Sequence, residues 1–375
     1  MPYSGSSGAS GPARLAESEA PLSAHIAFGA AVPDLPVGRT DLPALESTIG
    51  AHVQIASAFV DWSYVPGGVN EVWMADGGAR NLLLSWEPNG IRFTDVSSGK
   101  EDSYLQKVAA SVLAYPYTLH VRPWPEMNAN WSTWQPTADG GKINGGTPAQ
   151  FVAAWQYLVT FFRRRGVNNL KFVFNPDSSN WPDNTPVSSI WPGSEYVDLL
   201  GIDGYNWGND SVGDSWRAFD TIFSNMYTTL TALDSVHPVW ITETGSKEPQ
   251  KEDDWLYPKE SAPVDPDNNK GTWINQMMSS RLFPRVEGIV WFNMQKERDW
   301  RLESSNASLN AIRSYLSTPS GRRPAVPGRA APDPRPARRP RPDHLVPADR
   351  PLGPGTPAGV ARTRSGAPPG HEGAP

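Results

Sequence analysis

The sequence contains no cysteine among its 375 residues, which excludes disulfides, thiolate metal sites and a cysteine nucleophile. Histidine is scarce: the six residues are spread along the chain without an HExxH pattern or a close pair, which argues against a zinc site. No apolar run approaches the roughly 18–20 residues of a membrane span. We therefore expect a protein that needs no metal or organic cofactor and does not act within a membrane.

Aromatic residues are missing from the end of the chain, where the charge also changes sign. Residues 318–375 contain 15 of the 38 prolines, ten arginines, four acids and no aromatic residue. The net charge of this segment is +6, against −12 for the residues before it and −6 for the chain. Such a segment buries too little apolar surface to offset its conformational entropy, so we predict a disordered tail.

The beginning of the chain is also unlike a folded domain. Residues 1–24 open with the linker-like MPYSGSSGASG and show no basic segment followed by an apolar stretch of about 7–15 residues. We predict a flexible segment over 1–24 and a folded domain over 25–317, with no visible signal peptide. All 16 tryptophans lie between Trp62 and Trp300. An acidic, Trp-rich domain does not suggest a nucleic-acid partner, although nucleic acid or an acidic surface could attract the basic tail.

Short apolar runs alternate with longer segments of helical spacing throughout the folded region. The runs are nearly continuous in Val, Ile and Phe, which is typical of parallel strands buried on both faces. Eight such β/α units in about 290 residues fit an α/β fold, the (β/α)8 TIM barrel, for which ~250 residues are usual before insertions. A doubly wound open sheet is the alternative, but no GxGxxG follows the first run and no P-loop occurs.

Eight strands and five helices are predicted in this region. In a barrel of this type the catalytic side chains project from the C-terminal ends of the strands, so those ends carry the candidate site. The predicted strands are His25–Ala31, Val53–Phe59, Asn81–Trp86, Thr118–Pro123, Leu170–Asn175, Val197–Ile202, Pro238–Thr242 and Gly288–Phe292. The predicted helices are Ser103–Ala114, Thr147–Arg164, Trp216–Leu233, Lys270–Ser280 and Ser304–Leu316.

Two glutamates follow predicted strands: Glu126 closes the fourth and Glu243 closes the seventh. Hydrolysis of a glycosidic bond needs a protonated carboxyl group that donates to the leaving oxygen and an ionised one that attacks the anomeric carbon or activates water. Arg122 would favour an ionised group nearby, whereas the flanking Trp124 and Trp131 would favour a neutral Glu126 by desolvation. The pair therefore indicates glycoside hydrolysis.

Structural roles are the alternatives for the same residues. Either glutamate could be a salt-bridge partner, Arg122 could tie its strand to a neighbouring carboxylate, and Asp203, which precedes a glycine, could cap a turn. We expect about half of the tryptophans in the core. The others could line a groove, because the flat faces of sugar rings stack on indoles while sugar hydroxyls need polar partners. Further candidate substrate contacts at the strand ends are Trp86, Trp207 and Asn128.

Four segments, in order, resemble glycoside hydrolase family 26, which belongs to a clan of retaining (β/α)8 glycosidases. The strongest is RPWPEMNANW over 122–131, which resembles the family pattern R-P-x-H-E-M-N-G-x-W around the acid/base. The others are YVDLLGIDGYN over 196–206, PVWITETG over 238–245 and WFN over 291–293. In order and spacing the resemblance extends over about residues 25–317.

The resemblance implies a role for each matching residue. Glu126 would be the acid/base and Glu243 the nucleophile. It also implies that Arg122 supports the nucleophile electrostatically, that Tyr205 donates a hydrogen bond to it, that Trp131 lines the groove beside the acid/base, and that Trp291 forms the floor of the subsite for the attacked sugar.

Two positions depart from the family pattern. Pro125 stands where the family usually has histidine, and Ala129 stands where it usually has glycine. The missing imidazole weakens a mannanase interpretation most. Because the family includes endo-β-1,4-mannanases, mixed-linkage β-glucanases and β-1,3-xylanases, the resemblance leaves the sugar open.

These observations predict a retaining, endo-acting β-glycanase that hydrolyses β-1,4-mannan or β-glucan by double displacement with two glutamates. The expected partner is a polysaccharide or oligosaccharide, the chain is expected to be a monomer, and an extracellular location follows from the resemblance alone. Two alternatives are a non-catalytic glycan-binding barrel, which Pro125 suggests, and a hydrolase of a bacterial exopolysaccharide.

Overall fold

Eight parallel strands form a closed barrel in which each strand pairs with its neighbours in sequence and the eighth returns to the first. The predicted (β/α)8 fold is therefore confirmed. The strands are β1 (Ala27–Ala31), β2 (Ile55–Asp61), β3 (Asn81–Glu87), β4 (Leu119–Pro123), β5 (Leu170–Phe174), β6 (Leu199–Asn206), β7 (Val239–Ser246) and β8 (Val286–Phe292).

The computed structural model describes residues 26–179, 181–208, 215–249 and 269–318. The predicted flexible segment at the start of the chain and, apart from its first residue, the predicted disordered tail lie outside these ranges. The boundaries proposed for the folded domain therefore stay a prediction.

Helices surround the barrel and follow most of the strands. Among the described residues, the connection from β5 to β6 contains two short 3-10 turns, Val187–Ser189 and Ser194–Tyr196, in place of an α-helix. No helix in this part of the chain combines the length and apolarity needed to cross a membrane. The helices are α1 (Asp41–Ile49), α2 (Val69–Met74), α3 (Phe93–Ser97), α4 (Asp102–Ala114), α5 (Pro148–Arg163), α6 (Phe219–Leu233), α7 (Lys270–Ser279) and α8 (Asn306–Ser317).

Strands β6 and β7 continue four residues beyond their predicted ends, to Asn206 and Ser246. Their ladder pairs Asp203 with Glu243 and runs on to the last residues of both strands. The apolar run stops earlier than the strand because the inward side chains become polar at the barrel mouth. Glu243 thus lies within β7, and Asp203 lies within β6 instead of capping a turn.

Successive residues of each strand point to opposite sides of the barrel wall. On β3, Leu83 packs inside the barrel, whereas Leu82 and Leu84 pack against the surrounding helices. On β8, Val290 is internal and Trp291 faces the helix layer, where its ring meets Trp273 of α7. This alternation decides which strand-end side chains reach the mouth of the barrel.

Glycines in the barrel wall make room for large side chains on the neighbouring strands. Trp240 of β7 points inward and is nearly fully buried. A Cβ atom on Gly288 of β8 would lie 3.1 Å from the Trp240 ring. A Cβ on Gly29 of β1 would lie 2.7 Å from the Ile55 Cβ and 2.8 Å from the Ile55 carbonyl oxygen. Since backbone atoms cannot yield as a flexible side chain does, Gly29 is required by this packing.

We predict that Gly29→Ala lowers the free energy of unfolding by about 1–3 kcal/mol, the usual cost of overpacking a well-packed core. Gly68→Ala is the matched control, because a Cβ there would meet only the Glu71 carboxylate at 3.8 Å. Urea unfolding of the two variants and the wild type measures both effects. Equal stability of the two variants would contradict the packing argument.

Candidate active site

A single buried arginine joins the strand ends at the barrel mouth. The guanidinium of Arg122, on β4, donates hydrogen bonds to Ser85 Oγ at 2.7 Å and to Asn175 Oδ1 at 3.0 Å. It also forms ion pairs with the carboxylates of Asp203 and Glu243. Burial alone would lower the pKa of Arg122, but these two carboxylates raise it above its ordinary value, so the arginine keeps its charge.

The carboxyl group of Asp203 is fully buried behind the site. Its Oδ1 accepts a hydrogen bond from the Thr242 hydroxyl at 2.7 Å, and that hydroxyl accepts one from the Asn175 amide at 2.8 Å. Burial raises the pKa of Asp203 to about 7, although the Arg122 guanidinium opposes the rise. Arg122 thus ties β4 to the Asp203 carboxylate, which is the structural role given above as an alternative. It also contacts Glu243.

Both carboxylate oxygens of Glu243 are held by donors. Arg122 donates to Oε2, and the Tyr205 hydroxyl donates to Oε1. Burial and the negative charge of Glu243 raise the pKa of Tyr205 well above its ordinary value, so the tyrosine stays a hydrogen-bond donor. Glu243 is therefore oriented as an acceptor and remains slightly exposed to the cleft.

Glu126 lies on an unusual turn directly after β4. Trp124 and Glu126 both have positive φ angles, 52° and 53°, on either side of Pro125. Such backbone conformations are uncommon for residues other than glycine and cluster at functional sites. The turn is fixed by the Glu126 N–H, which donates to the Asn175 carbonyl at 2.9 Å, and by the Trp134 indole, which donates to the Pro125 carbonyl at 2.8 Å.

The surroundings of Glu126 favour its neutral form. Burial raises its pKa well above the ordinary value, and the nearby carboxyl groups of Asp177, Asp203 and Glu243 raise it further. The Trp131 indole donates to Glu126 Oε2 at 2.7 Å and acts in the opposite direction. The two glutamates therefore face each other in different settings, one held among acidic groups and the other held by an arginine.

Three carboxyl groups converge at the centre of the site. One carboxylate oxygen from each of Glu126, Asp203 and Glu243 lies within 4.8 Å of the other two, a spacing that could attract a cation. Positive charge is already supplied at this point by the Arg122 guanidinium, which contacts two of the three. Arg122 therefore supplies the positive charge that a bound cation would otherwise bring to Asp203 and Glu243.

A cleft of about 550 Å³ opens above these groups. Both glutamates line it, and most of the remaining lining is aromatic or charged. The lining residues are Glu126, Trp131, Asp177, Ser178, Ser179, Trp181, Tyr205, Trp207, Arg217, Glu243, Phe292, Lys296, Glu297, Arg298 and Trp300.

The structure corrects the predicted substrate contacts of Trp86 and Trp291. Both side chains are fully buried and face the helix layer. Trp86 stacks on Trp62 with ring centroids 4.9 Å apart and donates to the Tyr104 hydroxyl at 2.9 Å. Because neighbouring residues of a strand point to opposite faces, the residue of β8 that reaches the cleft is Phe292.

Trp291 instead supports the cleft from behind. Its indole donates to the carbonyl of Trp300 at 2.8 Å, and the Trp300 ring lines the cleft. The Trp300 ring also packs against Tyr205, with centroids 4.8 Å apart. Trp291 therefore holds a residue of the cleft wall in place and does not line the cleft itself.

Asn128 is also buried and does not reach the cleft, which corrects the third predicted contact. Its side-chain oxygen accepts from the Asp177 N–H at 2.8 Å, and its amide donates to the Asp177 carbonyl at 3.0 Å. Asn128 thus joins the turn after β4 to the turn after β5. Of the other predicted contacts, Trp131, Tyr205 and Trp207 line the cleft and Arg122 lies beneath it.

Asp177, Trp181, Phe292 and Trp300 line the cleft but are not among the predicted site residues. The two-residue period of β8 identifies Phe292 only once the structure shows that Val290 is internal. Asp177 follows a predicted strand and is almost fully buried beside Glu126. Trp181 lies in a loop without a recognisable pattern, so no local signal marks it.

Comparison with known proteins is consistent with this geometry. The sequence profile of glycosyl hydrolase family 26 matches residues 106–262, a region that contains both Glu126 and Glu243. Endoglucanase H of Acetivibrio thermocellus is 32% identical over 277 residues, which cover 72% of this chain and 28% of that protein. The chain belongs to glycosyl hydrolase family 26.

Other proteins resemble this family 26 chain over a shorter stretch of sequence or in fold alone. Mannan endo-1,4-β-mannosidase A and B of Caldalkalibacillus mannanilyticus is 34% identical over 102 residues, 27% of this chain and 19% of that protein. Both relatives are matched over less than a third of their own length. The solved catalytic domain of an endo-β-1,4-mannanase from Bacillus sp. JAMB-750 shares the fold with a TM-score of 0.54 at 16% identity, over 79% of this chain and 86% of that one.

In this family 26 chain, we predict that Asp177→Asn lowers the pKa of Glu126. Burial raises the pKa of Asp177 to about 6, so its carboxyl group is mostly ionised above that pH and opposes the ionisation of Glu126. Asparagine keeps an oxygen for the Ser179 N–H but carries no charge. The ¹³C chemical shift of the Glu126 carboxyl group, assigned with Glu126→Gln, follows the titration.

The control for this titration is Asp183→Asn, which removes an exposed carboxylate from the same loop. We expect the Glu126 midpoint to stay in place in this variant. An unchanged or higher midpoint in Asp177→Asn would show that Asp177 does not control the protonation of Glu126.

Proposed function

We propose that this chain is a retaining, endo-acting β-glycanase that hydrolyses β-linked glucan or mannan by double displacement. The observation that carries the proposal is the approach of Glu126 and Glu243: one carboxylate oxygen of each lies within 4.8 Å of the other across the cleft. Retaining glycosidases have carboxyl groups about 5–5.5 Å apart, whereas inverting ones need ~6.5–9.5 Å to admit a water molecule. The short separation therefore favours direct attack by a carboxylate.

In the first step, a carboxylate oxygen of Glu243 attacks the anomeric carbon and Glu126 donates its proton to the leaving oxygen. Arg122 and Tyr205 orient the nucleophile through one hydrogen bond to each oxygen. Since the Trp131 indole needs an acceptor at Glu126 Oε2, the acidic proton belongs on Oε1. A glycosyl ester of Glu243 and a free sugar hydroxyl result.

In the second step, Glu126 acts as the base. Having lost its proton, it lies among Asp177 and Asp203 and regains a proton readily, because these acidic neighbours disfavour its charge. It takes the proton of a water molecule whose oxygen attacks the anomeric carbon. The ester bond breaks and Glu243 returns to the carboxylate, so that the sugar keeps its original anomeric configuration.

The substrate class follows from the lining of the cleft and from the relatives. Trp131, Trp181 and Trp207 offer apolar faces for sugar rings, and serines and carboxylates offer partners for hydroxyls. The relative that matches 72% of this chain is named an endoglucanase, and Pro125 replaces the histidine typical of the family. We therefore place β-glucan before β-mannan. A polymer of this kind is too large to enter a cell, so the proposed site of action is extracellular, with one chain forming the whole cleft.

We predict that the protein releases reducing sugar from mixed-linkage β-glucan and that Glu243→Gln lowers this rate by about 10³-fold or more, because the amide cannot act as the nucleophile. The assay panel includes glucomannan and β-1,3-xylan, and ¹H NMR of the first product reports the anomer. Glu287→Gln is the control, since Glu287 is exposed on the wall of the barrel. Binding to these polymers without release by the wild type would instead favour a non-catalytic glycan-binding barrel.

We also predict that Glu126→Gln affects substrates according to their leaving group. On polysaccharide the rate should fall by about 10³-fold, because no group protonates the leaving oxygen. With a 2,4-dinitrophenyl cellobioside, which needs no such proton, the variant should release one equivalent of dinitrophenol rapidly and then turn over slowly. The burst reports the glycosyl ester.

The pH profile gives a further check on the same variant. Glu126 acts when protonated, so the wild-type kcat/KM should fall as pH rises through its raised pKa, and activity should persist above the range of an ordinary glutamate. This alkaline limb should be absent in Glu126→Gln. If Glu126→Gln keeps the same alkaline limb, a group other than Glu126 causes the fall in kcat/KM.

A further inference from the structure

A fully buried lysine begins helix α7. Lys270 is 0% exposed, although lysine is almost never fully buried unless other groups pair with it. It is also the first residue of the helix, where the macrodipole disfavours a cation. Burial and the helix start are both unfavourable for an ammonium group, so contacts with other parts of the chain must stabilise it there.

The ammonium group of Lys270 is held by the segment that follows β8. It donates to the carbonyl oxygens of Asp299 and Arg301, each at 2.9 Å, and to the Ser304 hydroxyl at 2.7 Å. That hydroxyl donates to the Glu248 carboxylate at 2.8 Å, just beyond the end of β7. One charged side chain therefore fixes this segment and joins the ends of two neighbouring strands.

The residue between the two bound carbonyl groups is Trp300. Its N–H donates to the Met294 carbonyl at 3.0 Å, and its carbonyl accepts from the Trp291 indole at 2.8 Å. Because Lys270 holds the carbonyl groups on either side, the backbone of Trp300 is fixed in both directions along the chain. The position from which the Trp300 ring reaches the cleft is thereby set.

The Trp300 ring packs against the tyrosine that contacts Glu243. The centroids of the Trp300 and Tyr205 rings are 4.8 Å apart. A Cβ atom on Gly245 of β7 would lie 3.2 Å from the first ring and 3.3 Å from the second, so both rings pack on the backbone of the strand that carries Glu243. The Tyr205 hydroxyl donates to Glu243 Oε1, and contact with Trp300 limits the directions in which that hydroxyl can move.

We propose that Lys270 is a positioning residue that keeps the Tyr205 hydroxyl directed at the nucleophile Glu243. Its ammonium group fixes segment 299–304, and this segment fixes the Trp300 ring against Tyr205. Without the ammonium group, three oxygen atoms lose a common donor and the segment shifts toward other partners. This role rests on the proposed function, because it requires Glu243 to act as the nucleophile.

A double-mutant cycle with 2,4-dinitrophenyl β-cellobioside as substrate tests this role. With this leaving group, kcat/KM reports attack by Glu243 and needs no proton from Glu126. We expect Lys270→Met to lower kcat/KM by about tenfold, because a hydrogen bond to a charged group is weakened. In a Tyr205→Phe background the same substitution should change kcat/KM by less than about twofold, because that hydrogen bond is already absent.

Ser304→Ala provides a milder variant in case Lys270→Met does not fold. It removes one acceptor of the ammonium group together with the link to Glu248. We expect kcat/KM to fall by about threefold, and to fall no further when Tyr205→Phe is already present.

Two controls separate positioning from a loss of stability. Met277→Ala removes a buried side chain two turns further along the same helix, and it should lower stability while leaving kcat/KM unchanged. Lys107→Met removes a lysine charge from the exposed face of α4 and should leave both properties unchanged. Urea unfolding of every variant identifies the conditions under which each one is folded.

The outcomes separate the two proposals. Equal proportional losses with and without Tyr205→Phe would show that Lys270 does not act through Tyr205, and would overturn the positioning role. An unchanged kcat/KM in folded Lys270→Met would do the same, and both results would leave the glycosidase proposal in place. Failure of the wild type to release dinitrophenol from this substrate, or reducing sugar from any polymer, would overturn both proposals.

Discussion

A buried guanidinium is the interaction on which the candidate active site depends. Arg122 loses its hydration at the centre of the barrel mouth, and such a loss is costly unless charge and hydrogen bonds replace the water. Ser85, Asn175, Asp203 and Glu243 supply them, each from a different strand or strand end. The need to satisfy one cation therefore fixes the relative positions of β3, β4, β5, β6 and β7 at the point where chemistry is possible.

The same arrangement gives the two facing glutamates opposite settings. Arg122 contacts Glu243 but not Glu126, which instead lies near Asp177 and Asp203 and receives one hydrogen bond from an indole. Two identical side chains are thereby prepared for different states of protonation, which is the condition for acid and nucleophile to act together. Strain in the turn at Glu126 is balanced by one backbone hydrogen bond to the neighbouring strand end and one from the Trp134 indole.

Tryptophan serves three separate purposes in this chain. Trp86 and Trp291 fill the layer between strands and helices and hold other rings in place. Trp300 is also buried, but its ring forms part of the cleft wall. Trp131 and Trp181 stay exposed on loops that are fastened to each other. The indole is useful in all three settings because it combines a large apolar face with one hydrogen-bond donor.

The sequence by itself determined the barrel, since eight apolar runs separated by helical segments leave few alternatives, and it marked Glu126 and Glu243 through their positions at strand ends. Only the tertiary structure decided which side of the wall each neighbour faces. Strands buried on both faces carry no polar alternation from which that side can be read, so Trp291 and Phe292 look equivalent in the sequence. The partners of Arg122 and the fastening of the Trp181 loop were equally hidden, because they join residues as far as 121 positions apart that only closure of the barrel brings into contact.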